Sequence, residues 1–200
     1  MIGVVDYEAG NIASVSNALT RIGAQFIVSS ESEKLARCDG IILPGVGAAP
    51  GAMSSLETLG LVRFVQTLGV PVLGICLGMQ LLYQASEEGG MRCLGLVPGL
   101  IRSLKGRVSK VPHMGWNRVE FLTRNPLAAG IDSDGYFYFA HSYVADVDES
   151  TIATSNCGVQ FAAAISKGNY FGVQFHPEKS GRAGLSLLSN FDKLCRSFRR

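Results

Sequence analysis

Apolar residues run along this chain in two rhythms. Short continuous runs at residues 2–5, 26–28, 40–43 and 70–74 have the length of buried strands. Between them, apolar positions recur at helical spacing. Ile12, Val15, Leu19 and Ile22 lie between an opening Gly10-Asn11 and a closing Gly23, and a further helix is expected over residues 56–68. A polar segment through Lys34 and Ala36 separates the second run from the third. Strands alternating with helices in this way predict a mostly parallel sheet flanked by helices, an α/β architecture that gathers ligands at the carboxyl ends of its strands.

The rhythm changes after Ala85. Gly89-Gly90, Gly95, Pro98-Gly99 and Gly106 break the chain into short pieces. Strands, several of them antiparallel, are expected near 118–121, 136–139, 152–154, 161–165 and 170–174, with a turn at Asn156-Cys157-Gly158. Leu187, Leu188, Phe191, Leu194, Cys195 and Phe198 then mark a last helix over 183–198 that covers the sheet. A chain of 200 residues, 47% hydrophobic, fills one core, so residues 1–200 are expected to form one α/β domain with an added antiparallel portion.

The fourth apolar run ends at Gly74, and helical spacing resumes at Leu77, Leu81, Leu82 and Ala85, which puts Cys76 at a strand-to-helix turn. Gly74 and Gly78 remove the side chains that would collide in a sharp elbow, the geometry of Gly-x-Ser-x-Gly nucleophiles. A thiol there lies at the positive end of the helix macrodipole, which favours the thiolate. Most cysteines are structural, but one set between two turn glycines, after a strand and before a helix, reads as a nucleophile. The third strand runs into Pro44-Gly45-Val46-Gly47, a loop whose backbone N–H groups could approach an anion or serve as an ordinary turn. Late in the chain stands His176-Pro177-Glu178. Pro177 holds His176 extended, and Glu178, two residues on, is expected on the same side to orient the imidazole. A thiolate needs such a base and later proton donor.

The net charge of +2 is too small for a nucleic-acid surface, and the basic tail Arg196, Arg199, Arg200 reads as a solvated helix end. Five scattered cysteines (Cys38, Cys76, Cys93, Cys157, Cys195) form neither a disulfide framework nor a metal cluster, which suits a reducing cytoplasm. No run reaches the ~20 apolar residues of a membrane span, and no leader is recognisable, so a soluble, unprocessed cytoplasmic protein without metal or cofactor is expected.

Together the Gly74-Ile75-Cys76-Leu77-Gly78 elbow and the distant His176-Pro177-Glu178 resemble the class I glutamine amidotransferases over nearly the whole chain. Asp6-Tyr7 with Gly10-Asn11, Leu43-Pro44-Gly45-Val46-Gly47, Met79 after the elbow, Pro112-His113-Met114-Gly115-Trp116-Asn117, His141-Ser142-Tyr143 and Gln174 through Ser180 narrow this to the branch of glutaminase subunits of imidazole glycerol phosphate synthases. The resemblance implies a flavodoxin-like fold and a Cys76, His176, Glu178 triad that hydrolyses glutamine to glutamate and ammonia. It also implies an oxyanion hole from the Val46 and Leu77 N–H groups, and glutamine contacts at Gly45, Gly47, Gln80, His141, Ser142 and Tyr143. Ammonia would pass to a (β/α)₈-barrel cyclase subunit across a surface at Asn11, Trp116, Tyr138 and Lys179. A barrel of ~250 residues does not fit in this chain, so a heterodimer is expected. Two departures stand out. Ala48-Ala49-Pro50-Gly51 replaces the usual aromatic and acidic residues, and Cys157 stands where tyrosine is common. They leave open a paralogue that serves another synthase. A non-glutaminase binding module with a cysteine elbow is the rival from another class. The glycines around Val46 let its peptide rotate, so its N–H is expected to point away from the oxyanion position until a partner binds.

Overall fold

The computed structural model describes residues 1–132 and 134–198. Arg199 and Arg200 of the basic tail lie outside them. The first half builds β1 (Ile2–Val5), α1 (Ile12–Arg21), β2 (Phe26–Ser29), a short α2 (Ser32–Leu35) and β3 (Gly40–Leu43). It continues through α3 (Ala49–Thr58), α4 (Leu61–Gln66), β4 (Val72–Ile75) and α5 (Leu77–Leu81). Three strands, β5 (Tyr83–Ser86), β6 (Met91–Arg92) and β7 (Val97–Ser103), follow. Next come β8 (His113–Phe121), β9 (Asp134–His141), β10 (Tyr143–Ala145), β11 (Thr151–Asn156), β12 (Gln160–Lys167) and β13 (Tyr170–Val173). The chain closes on α6 (Gly181–Phe198).

The main sheet has nine strands in the order β2-β1-β3-β4-β13-β12-β11-β8-β9. Pairing is parallel from β2 to β13 and antiparallel from β13 to β9. A smaller sheet, β10-β7-β5-β6, packs beside it. Every residue of β1, β3, β4 and β13 is buried, as expected for strands covered on both faces. Ile2, Val4, Ile42, Leu73 and Ile75 meet Leu19 of α1 and Leu187 and Phe191 of α6. Val5, Ile41, Leu43 and Val72 face the other way, toward Leu56 and Val65 of α3 and α4 and toward Val97 and Ile101 of the small sheet.

Three expectations change. The helix after the elbow does not continue through Ala85. It ends at Leu81, and Tyr83–Ser86 pairs with β7 and β6, its Tyr83 and Ser86 buried. Leu77, Leu81, Leu82 and Ala85 fit helical spacing, but sheet pairing wins beyond the first turn and a half. The helix expected over 56–68 is two helices broken at Gly60, whose φ of +67° no side chain adopts comfortably. Pro98-Gly99, read as a breaker, lies inside β7. No described helix is long and apolar enough to cross a membrane.

Candidate active site

The carboxyl ends of β3, β4 and β13 open onto a cavity of about 350 Å³. Its lining includes Val46, Cys76, Gln80, Glu88, His141 and His176. Cys76 occupies the turn between β4 and α5 with φ +53° and ψ −109°, a non-glycine residue in a region that costs on the order of 1–3 kcal/mol. The surrounding packing holds it there. Its N–H donates to the Val173 carbonyl at 2.8 Å, and its carbonyl accepts from the Gln80 N–H at 3.2 Å. A Cβ on Gly78 would lie 1.8 Å from the Leu43 carbonyl oxygen, so only glycine lets α5 start this close to β3. The thiol faces the Ala140 carbonyl at 3.8 Å and receives the Gln174 side-chain N–H at 3.7 Å.

His176 follows β13, and its backbone N–H donates to the Tyr138 carbonyl on β9 at 2.8 Å. Ser180 fastens the same corner, accepting from the Tyr138 N–H at 3.0 Å and donating to the His176 carbonyl at 2.6 Å. Glu178 does not lie along an extended chain as the sequence suggests. Pro177–Lys179 is a tight 3₁₀ turn, and that turn brings the Glu178 Oε1 to 2.8 Å from the His176 Nδ1. The other carboxylate oxygen, Oε2, is buried without a partner. Burial opposes protonation of His176, but hydrogen bonds and charge from Cys76 and Glu178 outweigh it and raise its pKa to about 9.

The Pro44–Gly47 loop packs against the start of α5. A Cβ on Gly45 would lie 2.7 Å from the Gly78 nitrogen and 2.8 Å from the Leu77 Cβ, which makes the loop and the helix N-terminus immediate neighbours. Leu77 is the first helical residue, so its N–H has no acceptor within the helix. Val46, by contrast, donates its N–H to the Ala9 carbonyl at 2.7 Å. Gly47 has a φ of +94° and lines the cavity beside it.

Gln80 donates its side-chain N–H to the Tyr143 carbonyl at 3.0 Å and to the Gln174 Oε1 at 2.9 Å. Ser142 and Tyr143 line the cavity, as does His141, whose two ring nitrogens are both engaged by protein groups. Burial, then the nearby His113, pushes His141 down to about 3. Trp116 and Tyr138 pair across β8 and β9 with rings 6.3 Å apart, and the Lys179 ammonium stands 5.8 Å from the Tyr138 ring centre. Asn11 precedes α1, the helix that contacts the Pro177–Lys179 turn.

Glu88, Pro112, Met114 and Ala140 also line the cavity and were not singled out from the sequence as site residues. Glu88 accepts the Ala49 N–H at 2.8 Å and so caps α3, whose preceding Ala48 has no side chain able to do so. The unusual Ala48-Ala49 pair was the available signal, since a helix start without its own cap must borrow one. Among the described residues, no cluster of three or more His, Cys, Asp or Glu side chains is placed to hold a metal ion.

Residues 3–194 match the family model for class-I glutamine amidotransferases. The imidazole glycerol phosphate synthase subunit HisH of Bacillus cereus (strain G9842) is 50% identical over 196 residues, covering 96% of this chain and 93% of that protein. The subunit HisH 2 of Legionella pneumophila (strain Paris) is 44% identical over 192 residues, covering 96% of each. Among solved structures, a glutamine amidotransferase superposes with a TM-score of 0.77 at 17% identity over 98% of both chains. PurLQS from Thermotoga maritima superposes with a TM-score of 0.73 at 19% identity, over 95% of this chain and 96% of that one. At these identities the two structures speak for the fold alone.

Proposed function

The chain belongs to the class-I glutamine amidotransferase family, and from that premise we propose that it is the glutaminase subunit of an imidazole glycerol phosphate synthase of histidine biosynthesis. It would hydrolyse glutamine in the cytoplasm and pass ammonia to a separate (β/α)₈-barrel cyclase subunit, which makes imidazole glycerol phosphate and AICAR. The observation that carries this reading is the pairing of His176 with Glu178 at 2.8 Å beside a cysteine held on a glycine elbow.

In this reading glutamine enters the cavity with its side-chain amide at Cys76. Glu88 faces its α-ammonium group, and Gln80, Ser142 and Tyr143 contact the rest of the amino-acid moiety. Cys76 attacks as thiolate, while His176, protonated at neutral pH because its pKa is raised to about 9, gives its proton to the departing nitrogen. The C–N bond breaks, ammonia leaves, and a glutamyl thioester remains. Water then attacks the thioester, giving a proton to His176 and releasing glutamate and the thiolate. Glu178 keeps the imidazole oriented throughout. Each tetrahedral intermediate places negative charge where the Leu77 N–H can donate. The second donor, Val46, must first leave the Ala9 carbonyl. The partner supplies that change by docking on the exposed surface around Trp116, Tyr138 and Lys179, which borders the same cavity.

The test is glutamate release measured with and without the barrel subunit from the same cell. Release that rises steeply when the barrel and its nucleotide ligand are added is expected. An absence of glutaminase activity in the assembled pair would overturn the reading.

A further inference from the structure

At the cavity wall, His141 and, behind it, His113, neither of which takes part in the proton transfers above, face each other across the β8–β9 ladder. His113 and His141 are register partners, and the His113 Nδ1 lies 2.9 Å from the His141 Nε2. They belong to a longer chain of hydrogen bonds. The Asn117 Nδ2 lies 3.1 Å from the His113 Nε2, and the His141 Nδ1 lies 3.0 Å from the Tyr143 carbonyl.

The two ends give every link one direction. A carbonyl only accepts, so the proton of His141 is on Nδ1 and its Nε2 is the acceptor. His113 must then donate from Nδ1, which leaves its Nε2 to accept from Asn117. The amide of Asn117 is fixed independently, because its Oδ1 accepts the Arg118 N–H at 2.8 Å and its Nδ2 also donates to the Asn156 carbonyl at 2.8 Å. Both imidazoles are therefore neutral with the proton on Nδ1. A proton added to either would set two donors against each other. Phe139 and Phe161 pack on both rings, and His176 is the further charged group acting on His141.

The chain does not stop at Tyr143. The same carbonyl accepts from Gln80, Gln80 donates to Gln174, and Gln174 donates to the Cys76 thiol. Gln174 is fully buried, and Gln80 and His141 nearly so. Pro112 and Met114 line the cavity, whereas His113 between them turns to the inner face of β8.

We propose that His113 is a positioning residue for glutamine hydrolysis: by donating to His141 it fixes that ring, and through the Tyr143 carbonyl it sets the Gln80–Gln174 pair against the Cys76 thiol. The proposal rests on the glutaminase reading above. Without the His113 donor, His141 loses the partner of a buried nitrogen and is free to change tautomer, which would leave the Tyr143 carbonyl without one of its donors. The misalignment reaches the attacking sulfur, so it should act mainly on kcat.

The experiment compares variants of this chain assembled with its barrel subunit. His113→Leu keeps apolar bulk without a donor, and His113→Asn places an amide N–H near the lost Nδ1–H. Glutamine-dependent kcat is expected to fall about tenfold or more in His113→Leu, with KM changed less, and to return to within about threefold of the original in His113→Asn. Nitrogen NMR of the His141 ring should show a protonated Nδ1 and bare Nε2 in the original chain and in His113→Asn, and loss of that single state in His113→Leu. Should His113→Leu melt below the assay temperature, His113→Gln, whose amide sits too far out to donate to His141, takes its place. An unchanged kcat in the donorless variant overturns the proposal. Equal losses in His113→Leu and His113→Asn, or an effect confined to KM, do so as well. A failure of the underlying reading shows separately, as an unsubstituted complex that releases no glutamate.

Discussion

Cys76 and Val46 follow neighbouring parallel strands, β4 and β3, yet their backbones are held in opposite ways. Cys76 is bonded on both sides, to Val173 and to Gln80, in a conformation that only close packing sustains. Val46 is 40% exposed, and a single hydrogen bond to Ala9 holds its N–H away from α5. Its neighbour Gly47 leaves open space where a side chain would be. In the proposed mechanism the nucleophile is thus built once, at folding, while one oxyanion donor remains adjustable. A glutaminase separated from its acceptor gains from that division, since the costly part is fixed and the cheap part is switched.

The comparison breaks most sharply at the fixed side. Cys76→Ser and His176→Ala should each remove glutamine-dependent synthesis, by roughly 10⁶-fold on the scale of other hydrolase triads, while synthesis from ammonium salts by the complex continues. Loss of glutaminase activity in Cys38→Ser or Cys157→Ser would move the nucleophile elsewhere. Glu178→Gln should cost less, roughly 10⁴-fold in the rate of glutamate release, because it misorients the base without removing it. Equal losses in His176→Ala and Glu178→Gln would give Glu178 a direct chemical role. On the adjustable side, Val46→Pro removes the N–H altogether. It should erase most of the partner-dependent stimulation, about 10²–10³-fold, while Cys76 still reacts with small alkylating agents. A free chain that already works as fast as the complex would refute the switch.

The smallest effect is on stability against pH. His176 has a folded pKa of about 9, above its ordinary 6.5, so its contribution is whole below pH 6.5 and is lost as pH rises through about 9. His141 has the opposite sign. Held down to about 3, it contributes fully above pH 6.5 and loses that contribution as pH falls toward 3. Melting temperature should therefore decline on both flanks of pH 6.5. Glu178→Gln should make the alkaline flank shallower, with the Cys76 contribution to His176 remaining, and leave the acid flank unchanged, whereas His141→Phe should flatten the acid flank and leave the alkaline one.

Much of the fixed side was legible in the sequence. Continuous apolar runs marked β1, β3 and β4, and the glycines around Cys76 announced the elbow because close approach has a local signature. Pro177 tied His176 to Glu178 within three residues, although the turn that joins them was not foreseen. What escaped depends on partners far along the chain. Tyr83–Ser86 looks helical until β7 and β6 are beside it, and β7 absorbs Pro98-Gly99 where local signals predicted a break. The resemblance gave His141 a glutamine contact and His113 none, and nothing local paired the two, because each one's partner is one strand over and 28 residues distant. Glu88 reaches Ala49 across 39 residues. Periodicity reports the face a residue presents and says nothing of what waits on the other side.

The position of β13 has a consequence for the newborn chain. It is the last strand to leave the ribosome, yet it lies at the middle of the sheet, between β4 and β12. Until it emerges, β4 and β12 are open central edges, apolar on both faces, of the kind that recruit foreign strands. It also leads into His176, the base of the proposed triad, so an unfinished chain holds Cys76 without it. If the proposed triad holds, translation thus places the thiol before the base it needs, and a prematurely terminated copy should be cleared as an aggregate without having consumed any glutamine.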